Sequence, residues 1–466
     1  MLRSIANLLG DLHTNDIAYC NLKGNDQHLK HALTGESDID VLFDIRQKEK
    51  LKLILTMLGF KEFVAVRQKR YKDVYDFLTL DTQSGKIVHL HTYFGYTIGE
   101  PFLKGYQPDI AEHILTTRVY NRDYGLYCIQ PELELTLLYI GETLKLRHRD
   151  HLQSFVTHNL ALPAKAIYQH NWLRARTTQA AVENAVHVIF GDQPGIKRLV
   201  GSEFHRSTLK RMASAVKRAL AKDRLYSPTH GLLLRWFREA DLKIRRKLSQ
   251  VFALPLLSLR MNPRGGTIVS LVENSTATRA ALLDSAKNTF VKKIDVYSVS
   301  FQQRKADDRQ KAGKHITSIT GCLKAVLRAW GRWRKTKRIQ SAKKRGALVI
   351  CDLDPGHQNG PFNTGGPKLK DLLTSRNRIL RYLARLESGI LCRTANSFSP
   401  DLVCHFTSAG EPGCQTPATD PACEMGIGMA ALKTCAATRS RLVKIDPEKT
   451  QAEKTDILIH EIWKEL

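Results

Sequence analysis

The stretch LKGNDQHLKHALTGESDIDVLFD, residues 22–44, decides the fold of the first half of this chain. Gly24-Asn25 makes a short loop. Asp26 is a good N-cap for a helix whose apolar face is Leu29, Ala32 and Leu33, at i, i+3 and i+4. Gly35 is the residue type that ends helices, and Ser37-Asp38-Ile39-Asp40-Val41-Leu42-Phe43 then reads as a strand. Strand side chains alternate, so Asp38 and Asp40 share one face while Ile39, Val41 and Phe43 point to the core. Two carboxylates side by side repel each other, and a divalent cation between them removes that repulsion. The helix start just after Gly24-Asn25 offers backbone N–H groups to an anion. A metal site opposite a phosphate cradle is equipment for nucleotidyl transfer.

After this strand, RQKEKLKLILTMLGFKEF reads as a helix with Leu51, Ile54, Leu55 and Leu58 on one face, closed by Gly59. Residues 74–80 and 86–94 read as strands around the turn Asp81-Thr82-Gln83-Ser84-Gly85. The second of these carries His89 and His91 on one face. As neutral imidazoles they would complete a metal site, or one would serve as a base. As ordinary strand residues they would be half-buried and bonded to backbone.

From Pro131 to about Leu256 the pattern is helical throughout. PELELTLLYIGETLKLR has an acid-rich first turn that suits the helix dipole. The segments STLKRMASAVKRALAKDRL and HGLLLRWFREADLKIRRKLSQVF are basic and amphipathic, and such helices pack one face on a neighbour or lie on a membrane surface. Arg260 to Gly266 reads as a linker. TIVSLV, residues 295–301, residues 347–354, PDLVCHF and RLVKID follow as apolar strands separated by helical stretches, the pattern of a doubly wound parallel sheet. The expected domains are therefore 1–130, a basic helical segment 131–259 completing the N-terminal half, the linker 260–266, and 267–466.

With 466 residues the chain is too long for one ordinary core. It carries a net charge of +27, most of the excess lying between Lys197 and Arg345, which suits phosphorylated ligands, nucleic acid or anionic head groups. No apolar run approaches the roughly 20 residues of a membrane span. The nine cysteines form no CxxC pair, so a reducing cytoplasm is the expected location. Cys404, His405, Cys414, Cys423 and Cys435 are too widely spaced for a structural zinc site.

The string around Gly24-Asn25 and Asp38-x-Asp40 resembles the signature of the nucleotidyltransferase superfamily. In more detail the chain resembles a bacterial fusion family, found with capsule and exopolysaccharide genes, that joins such a domain to a thymidylate-kinase-like domain. The resemblance implies an α/β N-terminal nucleotidyltransferase-like mixed-sheet domain, a helical middle segment and a C-terminal doubly wound P-loop kinase-like domain. It implies Mg²⁺ on Asp38 and Asp40, an NTP (ATP first) as substrate, and Gly24, Asn25 and Ser37 beside the nucleotide. His89 and His91 stand where the wider superfamily commonly brings a third carboxylate, so that carboxylate is missing. The acceptor, the base preference and the oligomeric state stay open.

The kinase-like half resembles thymidylate kinases by the order of its landmarks: a strand with a phosphate-loop position, GALVICD, PFNTGGPKL, PDLVCHF and a segment ending in KID. Its reactive positions are replaced. Glu273, Thr276 and Thr278 hold the glycine positions of the phosphate loop, Arg279 that of the lysine, and Ala280 that of the metal-binding hydroxyl. Asp352 survives, but Leu353 replaces the arginine after it, and the lid reads Gly413-Cys414-Gln415-Thr416-Pro417 with no cation. The expectation is an inactive kinase-like domain in which Arg279 and Asp352 are the residues nearest a bound nucleotide. Three rivals follow: an active kinase through an altered loop, a non-catalytic nucleotide-binding scaffold of polysaccharide assembly, and a nucleic-acid-processing nucleotidyltransferase that uses the basic helices.

Overall fold

Alternation and helical spacing place most elements where the sequence puts them. The structure, a computed structural model, describes residues 1–146, 164–192, 196, 204–252, 256–273, 276–301, 318–352, 368–406, 440–446 and 448–466. Contacts divide the chain into two units, Met1–Ile244 and Arg245–Leu466.

The first unit opens with α1 (Arg3–Thr14), β1 (Tyr19–Asn21), α2 (Asp26–Leu33), β2 (Ile39–Phe43), α3 (Lys48–Met57) and β3 (Lys61–Ala65). It continues through β4 (Val74–Asp81), β5 (Lys86–Tyr93), α4 (Ala111–Thr117), β6 (Val119–Asn121) and β7 (Leu126–Cys128). The cap of α2 differs by one residue from the sequence reading. Asn25 is the cap, its side chain accepting the His28 N–H at 2.8 Å, and Asp26 is the first helical residue. Gly35, at φ +75°, makes the left-handed step that lets the chain leave α2 for β2.

The strands lie in the order β6-β7-β1-β2-β5-β4-β3. β1 and β7, and β2 and β5, run parallel, while β1–β2, β4–β5, β3–β4 and β6–β7 are antiparallel. This is the mixed sheet the sequence predicts. One face packs on α1, α2 and α3 through Ile5, Leu12, Leu29, Val41, Phe43 and Leu51. The other face, which the sequence reading set apart from the core, is packed as well. Leu42 and Tyr93 pack there against α4, α5 (Pro131–Lys145), α6 (Ala164–Arg174), α7 (Gln179–Phe190) and α8 (Arg206–Ala219). Burying both faces makes β2 wholly buried, so Leu42 and Phe43, on opposite faces, each contribute about 1.5–3 kcal/mol of hydrophobic stabilisation. The helix α9 (Pro228–Phe252) follows.

The second unit begins within the last turns of α9, and its first strand is the two-residue β8 (Arg260–Met261), inside the stretch that composition marks as linker. Then come β9 (Thr267–Glu273), α10 (Thr276–Val291), β10 (Val296–Val299), α11 (Ile319–Lys344), β11 (Leu348–Cys351), α12 (Arg378–Ser397), β12 (Leu402–Phe406), β13 (Arg441–Ile445) and α13 (Gln451–Glu465). The sheet order is β10-β11-β9-β12-β13, and every pair is parallel. Counting from β9, that is 2-3-1-4-5, with the first strand central, and the unit resembles the P-loop kinase fold. Its central strands are apolar and buried, as a sheet of parallel strands joined by helices requires. Among the described residues no helix is long and apolar enough to cross a membrane.

Candidate functional site

The sheet register brings the singled-out side chains of the first unit together. β2 and β5 pair with Asp40 opposite His91, and β4 and β5 pair with Asp76 opposite His91. Asp40, Asp76, His89 and His91 therefore share the sheet face that carries Leu42 and Tyr93, under the middle helices.

Asp40 is the centre of this group. It is only 8% exposed, against the expectation that it faces away from the core. Its Oδ2 takes an ion pair from Lys23, and its Oδ1 lies 3.1 Å from His91 Nδ1 and 3.3 Å from the Tyr93 hydroxyl, which donates to it. Lys104 donates to the same hydroxyl at 3.2 Å. Burial by itself would push the Asp40 carboxyl up, but the Lys23 ammonium and His91 outweigh it and hold it well below the usual carboxylate range. Burial lowers the His91 imidazole, and drives Lys104 down to about 8 despite the nearby Asp40. The loop carrying Lys104 is bent through left-handed backbone at Phe102 (φ +68°) and Lys104 (φ +42°), a cost that the surrounding packing sustains.

Next to it stands a second arrangement. His89 is fully buried, with Nε2 2.7 Å from Asp76 Oδ1 and Nδ1 2.8 Å from Asp38 Oδ1. The Nδ1 contact is an ion-pair distance without hydrogen-bond alignment. Each ring nitrogen therefore faces a carboxylate, with Nε2 hydrogen-bonded to Asp76. Asp38 is the open end, its side chain 43% exposed.

Asp76 is a third carboxylate that the sequence reading missed. It lies one strand beyond the histidines, not next to the first two aspartates. The signal was present, since Asp76 is the only charged residue in the apolar run VYDFLTL. Lys23, Tyr93 and Lys104 were missed as well, because nothing local ties them to Asp40.

Gly24 and Asn25 are adjacent to this cluster, but the Gly24 N–H is already engaged. It donates to Glu134 Oε2 at 2.8 Å, and Gln169 donates to Glu134 Oε1 at 2.7 Å. Glu134 was read as a dipole-stabilising residue of a helix start; instead it is buried and clamps the loop. Beside the clamp a cavity of about 480 Å³ is lined by Asn25, His28, Ser37, Lys165, Tyr168 and Gln169 among others. The Ser37 hydroxyl, on its wall, is buried without a hydrogen-bond partner. His28 is pushed down to about 4, by burial first, so it stays neutral near pH 7.

Among the described residues, no group of three or more His, Cys, Asp or Glu side chains is arranged to hold a metal ion by itself. The donor set nevertheless suits a hard cation. Mg²⁺ is commonly held by one or two carboxylates and completes its shell with water and substrate phosphates; here both Asp40 oxygens are engaged, by Lys23 and by His91 with Tyr93, so a cation at Asp40 would have to displace Lys23.

In the second unit Asp352 and Arg279 are both buried. The Asp352 carboxylate accepts the Ser300 hydroxyl and the Phe301 N–H, the latter at 2.7 Å, so it pins the chain after β10. Asn274 and Ser275 of the phosphate-loop position, Leu353, the lid 413–417 and Cys414, Cys423 and Cys435 lie outside the described residues. Cys404 is a buried free thiol.

No protein-family model and no curated protein matches the chain. Among solved structures, thymidylate kinase from Candida albicans is similar over 43% of this chain and 92% of its own length, with 13% identity and a TM-score of 0.25. That score is too low to bear on activity. The kinase-like fold of the second unit rests on its strand order and parallel pairing.

Proposed function

We propose that the first unit is a Mg²⁺-dependent nucleotidyltransferase, moving a nucleoside monophosphate from an NTP to an acceptor. The second unit is then a kinase-derived body that does not turn over. One observation carries the reading: Asp40 on β2 and Asp38 just before it meet His91 and His89 of β5, with Asp76 on the next strand, beside a cavity walled by Asn25 and Ser37.

Asp38 and Asp40 would hold the metal, and when bound it would offset the charge of the triphosphate during in-line displacement. The chain's own groups do the rest. Lys23 and Lys104 bring positive charge to the same spot, and both are positioned to take phosphate oxygens in place of Asp40 and Tyr93. The partnerless Ser37 hydroxyl offers a hydrogen bond to whatever fills the cavity. With Asp40 anionic and His91 neutral, His91 Nδ1–H points to Asp40, and Nε2, 3.8 Å from Asp76 Oδ1, is the nitrogen that would accept a proton. The engaged Asp352 carboxylate supports the view that the second unit is a scaffold.

The full chain, incubated with Mg²⁺, cell extract and NTP labelled at the α- or the γ-phosphate, is expected to move the α-label into an acceptor with release of pyrophosphate. The γ-label should leave as pyrophosphate, and none should enter an acceptor. Transfer of the γ-label instead would replace this reading with an active kinase.

A further inference from the structure

Helix α9 is built inside out. Three of its charged residues face the body of the first unit: Arg235 pairs with Glu100, Arg238 donates to the Phe102 carbonyl at 3.2 Å, and Asp241 accepts from Gln68. Leu242 is buried on the same side, and Gly231 packs so closely that a Cβ there would meet Leu103 at 3.3 Å. The opposite side carries Leu232, Leu233, Trp236 and Phe237, exposed by 57%, 63%, 64% and 58%. At about 100° per residue these four fall within one arc of about 140°, and Lys243, Ile244 and Lys247 continue it.

A helix anchored by its ions that presents its largest apolar side chains to water is not using that side for its own fold. The cations fix the chemistry of what covers it. Lys243 is partly offset by Glu239 at 2.8 Å, but Arg246 and Lys247 are exposed beyond it. The only acids on the helix are Glu239, in that pair, and Asp241, on the inner side. Leucine and aromatic side chains next to lysine and arginine match the boundary between acyl chains and anionic head groups. Nucleic acid could stack on Trp236 and Phe237 but would leave Leu232 and Leu233 unused.

We infer that α9 docks the protein on an anionic lipid surface through Leu232, Leu233, Trp236 and Phe237, with Arg246 and Lys247 on the head groups. This is independent of the nucleotidyltransferase reading and is tested without it.

The full chain should co-sediment with phosphatidylcholine vesicles that contain phosphatidylglycerol, only weakly with phosphatidylcholine alone, and less as salt rises. Trp236→Ser combined with Phe237→Ser should weaken partitioning at least about tenfold with an unchanged unfolding curve, since both side chains are exposed. Arg246→Gln with Lys247→Gln should flatten the salt dependence. No retention on anionic vesicles overturns the inference, as does equal retention by the Trp236/Phe237 variant. A dimer that the same variant dissolves, without vesicle binding, would assign the face to a second copy of the chain. Retention on nucleic acid in place of vesicles would assign it there.

Discussion

Asp40→Asn is expected to lower α-phosphate transfer at least about a thousandfold while leaving the fold intact. Asn keeps the shape of the side chain and an oxygen for His91 Nδ1–H and the Tyr93 hydroxyl. What it removes is the charge on which Lys23 and His91 converge. Lys23, with its side chain 39% exposed, regains solvation when its partner becomes neutral, so no buried cation is stranded. Rate and unfolding midpoint are measured on the same preparation. A variant with the parent's unfolding curve and the parent's transfer rate would show that the reaction does not depend on Asp40.

The parts of this site written in local pattern were legible in the sequence. The alternation through Asp40-Val41-Leu42-Phe43 specified the strand, although it begins at Ile39 and leaves Asp38 just before it, and the strands of residues 74–80 and 86–94 appear as β4 and β5 with nearly the same ends. Strand pairing then did what no local reading could. It set His91 between Asp40 and Asp76, which are 36 residues apart in sequence, so a third carboxylate joined the group by register alone. The three-residue strands β1, β6 and β7 escaped because so short a run shows no period. Glu134 escaped for another reason. Its position in the first turn of α5 has a sufficient local explanation, and only the fold reveals that it reaches back 110 residues to Gly24.

The second unit shows the same division. Apolar strands and helical spacers specified a parallel sheet, and the sheet formed in the 2-3-1-4-5 order. The role of Asp352 was not specified. As the surviving member of an Asp-Arg pair it read as a ligand-facing residue, whereas its carboxylate holds Ser300 and the Phe301 N–H. An aspartate at the end of a buried strand has backbone N–H groups within reach, and satisfying them is the commoner use.

The clamp at Glu134 leads to the second large effect, a dependence of stability on pH. Burial pushes the Glu134 carboxyl up from its ordinary 4.5 to about 7, although the Gly24 N–H and Gln169 act to lower it. The folded state therefore binds this proton more tightly than the unfolded chain does. The resulting stabilisation is complete below about pH 4.5 and is lost as pH rises through about 7. The difference amounts to about 3 kcal/mol. His28 and Asp40 work in the opposite sense. His28, held down at about 4 from an ordinary 6.5, contributes stability present above about 6.5 and lost as pH falls through 4. Asp40, held well below the usual carboxylate range, likewise favours the folded state above its unfolded value and loses that on acidification. A pH titration of the parent protein sums these trends, so the test is the difference between the parent and Glu134→Gln. Gln cannot ionise; it keeps one acceptor for Gly24 or Gln169 and turns an amide toward the other donor, which costs about 1–3 kcal/mol at every pH. Between pH 4.5 and 8 the parent's advantage over the variant should shrink by about 3 kcal/mol, reaching parity or reversal at the upper end. Urea unfolding of both full-length proteins across that range reads the difference directly. A constant gap would mean that Glu134 stays ionised throughout, held by its two donors against the cost of burial.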